Sequence, residues 1–213
     1  MERYDPETAL IVVDVQNDFA DPAGALSVAG GETIIPYVNA QVRAARAAGA
    51  LVVYTQDWHP AHTPHFAQDG GIWPVHCVID TWGAALHPAL EVAGPLVRKG
   101  SNGEDGYSGF TMRDPVSGAT VPTELESILR ARGIRRVVVC GLATDYCVAA
   151  TALDAAALGF ETSVLRAGIR AVDLQPGDGE RALERMAAAG VTIVDEEGDV
   201  EGEAGPAGTP TAR

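Results

Sequence analysis

The chain has 213 residues, 29 of them acidic and 15 basic, for a formal charge of −14. That length fits one domain with a sizeable core, and the charge repels phosphate backbones and offers no basic patch, which argues against a nucleic-acid partner. Three irregularly spaced cysteines, Cys77, Cys140 and Cys147, make a disulfide scaffold improbable and a reducing, cytoplasmic setting the expectation.

Glu2, Arg3 and Asp5 precede an apolar run, 9–13, that is far shorter than a signal-peptide core or a membrane span, so neither export nor membrane insertion is expected. Short β-branched runs then alternate with Ala-rich amphipathic stretches. Strands are expected at 8–14, 50–56, 96–99, 136–141, 161–165 and 191–194. Helices are expected at 33–48, 123–132, 145–158 and 179–189, closed by Gly49, Gly133, Gly159 and Gly190. This is the pattern of a three-layer α/β/α fold around a six-stranded parallel sheet, contained in one domain over 1–194. The remainder, 195–213, carries six acidic residues and one basic residue among Gly, Pro and Thr, and reads as a disordered, solubilising tail.

In open α/β sheets ligands bind beyond the carboxyl ends of the strands. Asp14, Asp57, Lys99 and the Cys147 segment each follow such an end, so four distant segments should meet at one edge.

Most cysteines are small buried packing residues, and Cys140, inside a Val-rich strand, and Cys77 suit that role. Cys147 differs in position. The run Val137-Val-Val-Cys-Gly-Leu-Ala-Thr-Asp-Tyr-Cys147 leaves a strand and enters a helix with Thr144 as the expected N-cap. In the first helical turn, free N–H groups and the helix dipole should lower the thiol pKa and ready a nucleophile. Lys99 is the single lysine among the basic residues, so a specific role is expected where arginine otherwise serves as surface charge. An ammonium there would steady developing negative charge. Asp14 follows directly on apolar residues, where a turn or cap role competes with a catalytic one.

Four of the five histidines, His59, His62, His65 and His76, lie between Gln56 and Cys77, close behind Asp57. One carboxylate with several imidazoles suits a divalent Zn, Fe or Mn ion better than Ca or Mg. Alternate side chains of an extended Asp57–His59 segment would face one ion. Spacing leaves open which three imidazoles bind, and His62 competes with His65.

Taken together, Asp14-Val-Gln-Asn-Asp-Phe19, Asp57-Trp-His-Pro60, Trp73-Pro-Val-His76, Lys99-Gly100 and Gly141-Leu-Ala-Thr-Asp-Tyr-Cys147 resemble the nicotinamidase/pyrazinamidase branch of the isochorismatase-like cysteine hydrolase family. The resemblance covers 8–194 and implies an isochorismatase-like sheet of Rossmann-like order. It implies hydrolysis of nicotinamide to nicotinate and ammonia through a Cys147 thioester, with Asp14, Lys99 and Cys147 as a triad. It further implies metal ligation by Asp57, His59, His65 and His76, leaving His62 as the spare. Phe19, Trp73, Tyr107, Ala143 and Tyr146 would line the pocket. A cis peptide at Leu142–Ala143 would adjoin an oxyanion hole made by the backbone N–H groups of Ala143 and Cys147. The rival expectations are an isochorismatase, an N-carbamoyl amidase, or a non-catalytic binding protein of the same fold. Oligomeric state is left open, a homo-oligomer included.

Overall fold

A computed structural model describes residues 4–195, so all of the expected acidic tail but Asp195 lies outside the described residues. The chain opens on β1 (Thr8–Val13), passes through a short helix α1 (Asn17–Ala20), and continues with α2 (Ile35–Ala47) and β2 (Leu51–Asp57). Edge strand β3 (Leu96–Lys99) is followed by a small hairpin, β4 (Thr111–Arg113) and β5 (Thr120–Pro122), and by α3 (Leu125–Ala131). Then come β6 (Arg136–Leu142), α4 (Ala149–Ala157), β7 (Glu161–Arg170), α5 (Asp178–Ala188) and β8 (Thr192–Val194).

The main sheet has the order β3-β2-β1-β6-β7-β8, and every pairing in it is parallel. Its central strand shows why. All six residues of β1 are buried, which a strand tolerates only when both faces are covered. Ala9, Ile11 and Val13 point into a core formed with Leu125 and Leu129 of α3, Ala149, Ala152 and Ala155 of α4, and Ala182, Leu183 and Met186 of α5. Leu10 and Val12 point the other way, onto Ile35, Val38, Val42 and Ala45 of α2. The period-2 alternation of one strand therefore sorts the helices into two outer layers.

All four predicted helices and six predicted strands are present, with ends shifted by a few residues. The β4–β5 hairpin and α1 are additions, because segments of three or four residues carry too little periodicity to be read. The Cys147 segment departs more. Its expected N-cap, Thr144, is already inside the helix: Ala143 stands at the cap position, and the chain enters through a π turn, Thr144–Val148, in which the Val148 N–H donates to the Ala143 carbonyl five residues back at 3.0 Å. Widened turns of this kind re-aim side chains and recur at functional sites.

Sheet order reverses between β1 and β6, since the chain moves outward to β2 and β3 on one side and to β7 and β8 on the other. The crevice at that switch point is where open α/β sheets bind ligands. The connection 58–95 between β2 and β3 contains only a short 3-10 turn (Ala67–Asp69). A crossing so long and so poor in regular structure is uncommon unless it serves a site. Among the described residues no helix is long and apolar enough to cross a membrane.

Candidate active site

Parallel strands in register bring their carboxyl ends together. Asp57 closes β2 and lies opposite Lys99, which closes β3; Asp14 follows β1; Cys147 lies in the turn after β6. The neighbour order β3-β2-β1-β6 thus sets Lys99, Asp57, Asp14 and Cys147 along one edge. The Lys99 Nζ is 2.8 Å from the Asp14 Oδ2, pairs with the Asp57 Oδ1, and donates to the Cys147 Sγ at 3.5 Å. The other Asp14 oxygen accepts from the Thr55 hydroxyl at 2.6 Å. Asp14, Asp57, Lys99 and Cys147 are all buried. The cis peptide at Leu142–Ala143 is present, directly before the turn that carries Cys147.

Charge in so dry a place has to be balanced. Burial works against the Lys99 ammonium, yet Asp14 and Asp57 outweigh it and hold its pKa well above the usual value. Burial likewise opposes ionisation of Asp57, but Lys99, His59 and His76 keep its carboxyl well below the carboxylate range. For Asp14 burial prevails, helped by the Asp57 charge, and its pKa is raised despite Lys99. Its neighbours thus push these two acids apart: Asp57 is a fixed charge, and Asp14 has an affinity for protons.

The thiol corrects an expectation. Burial pushes the Cys147 pKa well up, and Asp14 and Asp57 add to that while Lys99 opposes it. A helix start alone favours a thiolate, but here two carboxylates face one ammonium, and a thiolate would add a second uncompensated negative charge. The resting group is a thiol placed beside a base.

Behind this row stand the histidines. Ligand atoms of His59, His65 and His76 all lie within 4.8 Å of one another, and the rings of His59 and His65 stack at 4.9 Å. The Nε2 atoms of His59 and His76 are 3.7 and 3.9 Å from the Asp57 Oδ2. Two donors on one ion, each at about 2.0–2.2 Å, stand roughly 3–4 Å apart, so this spacing suits a shared cation better than direct hydrogen bonds. Both ring nitrogens of His59 are buried without a hydrogen-bond partner, which is costly unless something binds them. The His76 Nδ1 donates to the Pro74 carbonyl at 2.7 Å, freeing Nε2 as a lone-pair donor, and burial lowers its pKa to about 4 against the pull of Asp57, so the ring is neutral near pH 7. These residues could hold a metal ion. His62, by contrast, is exposed and bonds Asp69 at 3.2 Å, away from the group.

Gly100 tests the packing of that group. It has φ +85°, and a Cβ built there would stand 2.5 Å from the His59 Nδ1. Gly100→Ala is expected to lose about 1 kcal/mol or more of stability and to displace His59. Thermal denaturation and metal content of the purified variant check both effects.

A cavity opens onto Cys147, Asp57, His65 and His76, and its wall includes all five predicted pocket residues, Phe19, Trp73, Tyr107, Ala143 and Tyr146. Trp73, Tyr107 and Tyr146 meet edge to face, and the Trp73 Nε1 donates to the Tyr107 hydroxyl at 3.0 Å. Leu26, Val28, Leu142 and Val172 also line it and escaped sequence reasoning, since isolated aliphatic residues in loops or at strand ends look like any core position. Gln16 escaped too. Its side-chain amide donates to the Asp57 carbonyl at 2.7 Å and accepts from the Asp57 N–H at 2.8 Å, locking the end of β2; its place two residues after Asp14 was the available signal.

Known proteins share this arrangement of chain. A nicotinamidase of Escherichia coli is 38% identical over 206 residues, spanning 88% of this chain and 94% of that one. The crystal structure of a pyrazinamidase of Pyrococcus horikoshii in complex with zinc is 45% identical with a TM-score of 0.79, and the match covers 90% of this chain and 100% of that one. A crystal structure of an L. infantum protein in complex with nicotinate is 36% identical with a TM-score of 0.79, covering 88% and 91%. The Isochorismatase domain model matches residues 8–198, which takes in every strand of the sheet and each segment that meets at its edge, and the chain therefore belongs to the isochorismatase family.

Proposed function

We propose that this chain is a nicotinamidase, hydrolysing nicotinamide and related carboxamides such as pyrazinamide to the carboxylate and ammonia. The observation that carries the reading is the Cys147 thiol beside Lys99 and Asp14, facing an aromatic-walled cavity that also reaches His65 and His76. Such a reaction belongs to salvage of pyridine nucleotides in the cytoplasm.

In the reaction Asp14 takes the Cys147 proton as the sulfur attacks the amide carbon, which the raised proton affinity of Asp14 favours. Lys99 remains charged and offsets the negative charge that moves through the site. The backbone N–H groups of Ala143 and Cys147 hold the tetrahedral oxygen, each donor contributing about 2.7–4 kcal/mol to the barrier. Asp14 returns its proton to the departing nitrogen, ammonia leaves, and a thioester remains on Cys147. Water adds to the thioester with Asp14 again as base, releasing the acid and restoring the thiol.

Asp57, His59, His65 and His76 would hold a divalent zinc, iron or manganese ion. When bound, the ion supplies a Lewis-acid contact that orients a ring nitrogen of the substrate. Phe19, Trp73, Tyr107 and Tyr146 enclose the ring and exclude water.

Stripping the protein with a chelator is expected to abolish ammonia release from nicotinamide, and readdition of one of these metals to restore it. Asp57→Ala should lose activity in step with its metal content, measured by elemental analysis. Full activity in metal-free protein would refute the metal assignment.

A further inference from the structure

The three imidazoles are oriented differently from behind. The His76 Nδ1 is tied to a backbone carbonyl, His59 has no hydrogen-bond partner, and the His65 Nδ1 lies 2.6 Å from the Asp105 Oδ1. An ionised carboxylate only accepts, so this contact puts the His65 proton on Nδ1 and leaves the Nε2 lone pair for the cluster. Asp105 is well placed to hold it. Its backbone is bridged to Arg113 through bonds of 2.9 and 2.5 Å, and the same Oδ1 accepts the Gly106 N–H at 2.8 Å, which fixes the carboxylate rotamer. Asp105 is half-exposed at 46% on its side chain, while His65 is buried. The contact thus passes from the surface to the cluster through one ring.

We infer that Asp105 is a positioning residue for the metal centre: through His65 it sets the tautomer and aim of one ligand. The inference rests on reading His59, His65 and His76 as ligands. Of the three, only His65 is backed by a charge. Carboxylate–histidine pairs of this kind tune affinity as well as geometry, and their loss typically weakens metal binding about 10–100-fold. The loop that carries Asp105 also carries Tyr107, so the residue ties the ligand set to a wall of the pocket.

The test titrates metal-stripped full-length protein with Co²⁺, following the visible absorption of the bound ion, in wild type, Asp105→Ala, Asp105→Asn, His65→Ala and the double variant Asp105→Ala/His65→Ala. The alanine variant is expected to bind Co²⁺ about 10–100-fold more weakly with an altered spectrum. Asparagine, whose carbonyl can still accept from Nδ1, should recover most of the affinity. His65→Ala should cost less affinity in the alanine background than in wild type, since the pair acts as a unit. Wild-type affinity and spectrum in Asp105→Ala would overturn the role of Asp105 alone. Absence of Co²⁺ binding in wild type would overturn the metal reading and this inference with it.

Discussion

Cys147→Ala is expected to reduce ammonia release from nicotinamide by on the order of 10⁴- to 10⁶-fold while leaving the fold and the metal content intact, in line with the loss of a covalent nucleophile elsewhere. The argument begins with what the substitution leaves behind. One sulfur atom is removed from a residue that is 6% exposed, and Lys99 keeps both of its carboxylate partners. The stability cost should therefore be about 1 kcal/mol, or roughly 2–4 °C in Tm for a chain of this size. The other two cysteines, Cys77 and Cys140, are fully buried and do not line the pocket that Cys147 faces, so neither can replace it in the attack. Ammonia release measured beside a thermal melt separates a chemical loss from unfolding. A variant that folds, binds metal and still turns over at the normal rate would remove Cys147 from the mechanism.

Much of this site can be read before any coordinate is known, and the reason is local. Asp14, Asp57 and Lys99 sit at the ends of β-branched runs, and a parallel sheet sends all such ends to one side, so convergence follows from secondary structure alone. Two kinds of feature resist that reading. Which of His62 and His65 joins the other imidazoles depends on how the irregular connection 58–95 folds; His62 bonds Asp69 at the surface and His65 bonds Asp105 beside the buried group, and neither partner stands at a diagnostic spacing. The protonation of Cys147 depends on how deeply the other segments bury it and on the charges they bring. A helix start taken by itself points toward a thiolate, and burial at the assembled edge, helped by the two carboxylates delivered by β1 and β2, reverses the sign. Pairwise and electrostatic properties of this sort belong to the assembled edge rather than to any one motif.

Lys99 is the residue on which that charge balance turns, and Lys99→Met, nearly its shape without its charge, is the sharper experiment. In metal-stripped protein the substitution leaves the Asp14 and Asp57 carboxyls buried beside each other with no cation in contact. Breaking a buried ion pair from one side costs about 3–5 kcal/mol, so Tm should fall by roughly 6–20 °C. The deficit has a definite pH dependence. In the wild type, Asp57 is held below the ordinary carboxylate pKa, so its ionised form stabilises the fold above that value and the gain is lost as pH falls through its folded-state pKa. Without the ammonium, burial dominates: the folded-state pKa of Asp57 rises above the unfolded one, and that of Asp14, already raised in the wild type, rises further. Their protonated forms are then favoured by folding, a contribution present below the unfolded pKa and lost as pH rises through the raised value. The Tm difference between wild type and Lys99→Met should accordingly be largest near pH 8 and shrink toward pH 5. In the metal-loaded enzyme, ammonia release should fall by several orders of magnitude at either pH, since Cys147 and Asp14 would exchange a proton without the ammonium that offsets the charge. A Tm difference that stayed constant from pH 8 to pH 5 would mean that Lys99 supports the edge by packing alone and that the acids are balanced by some other group.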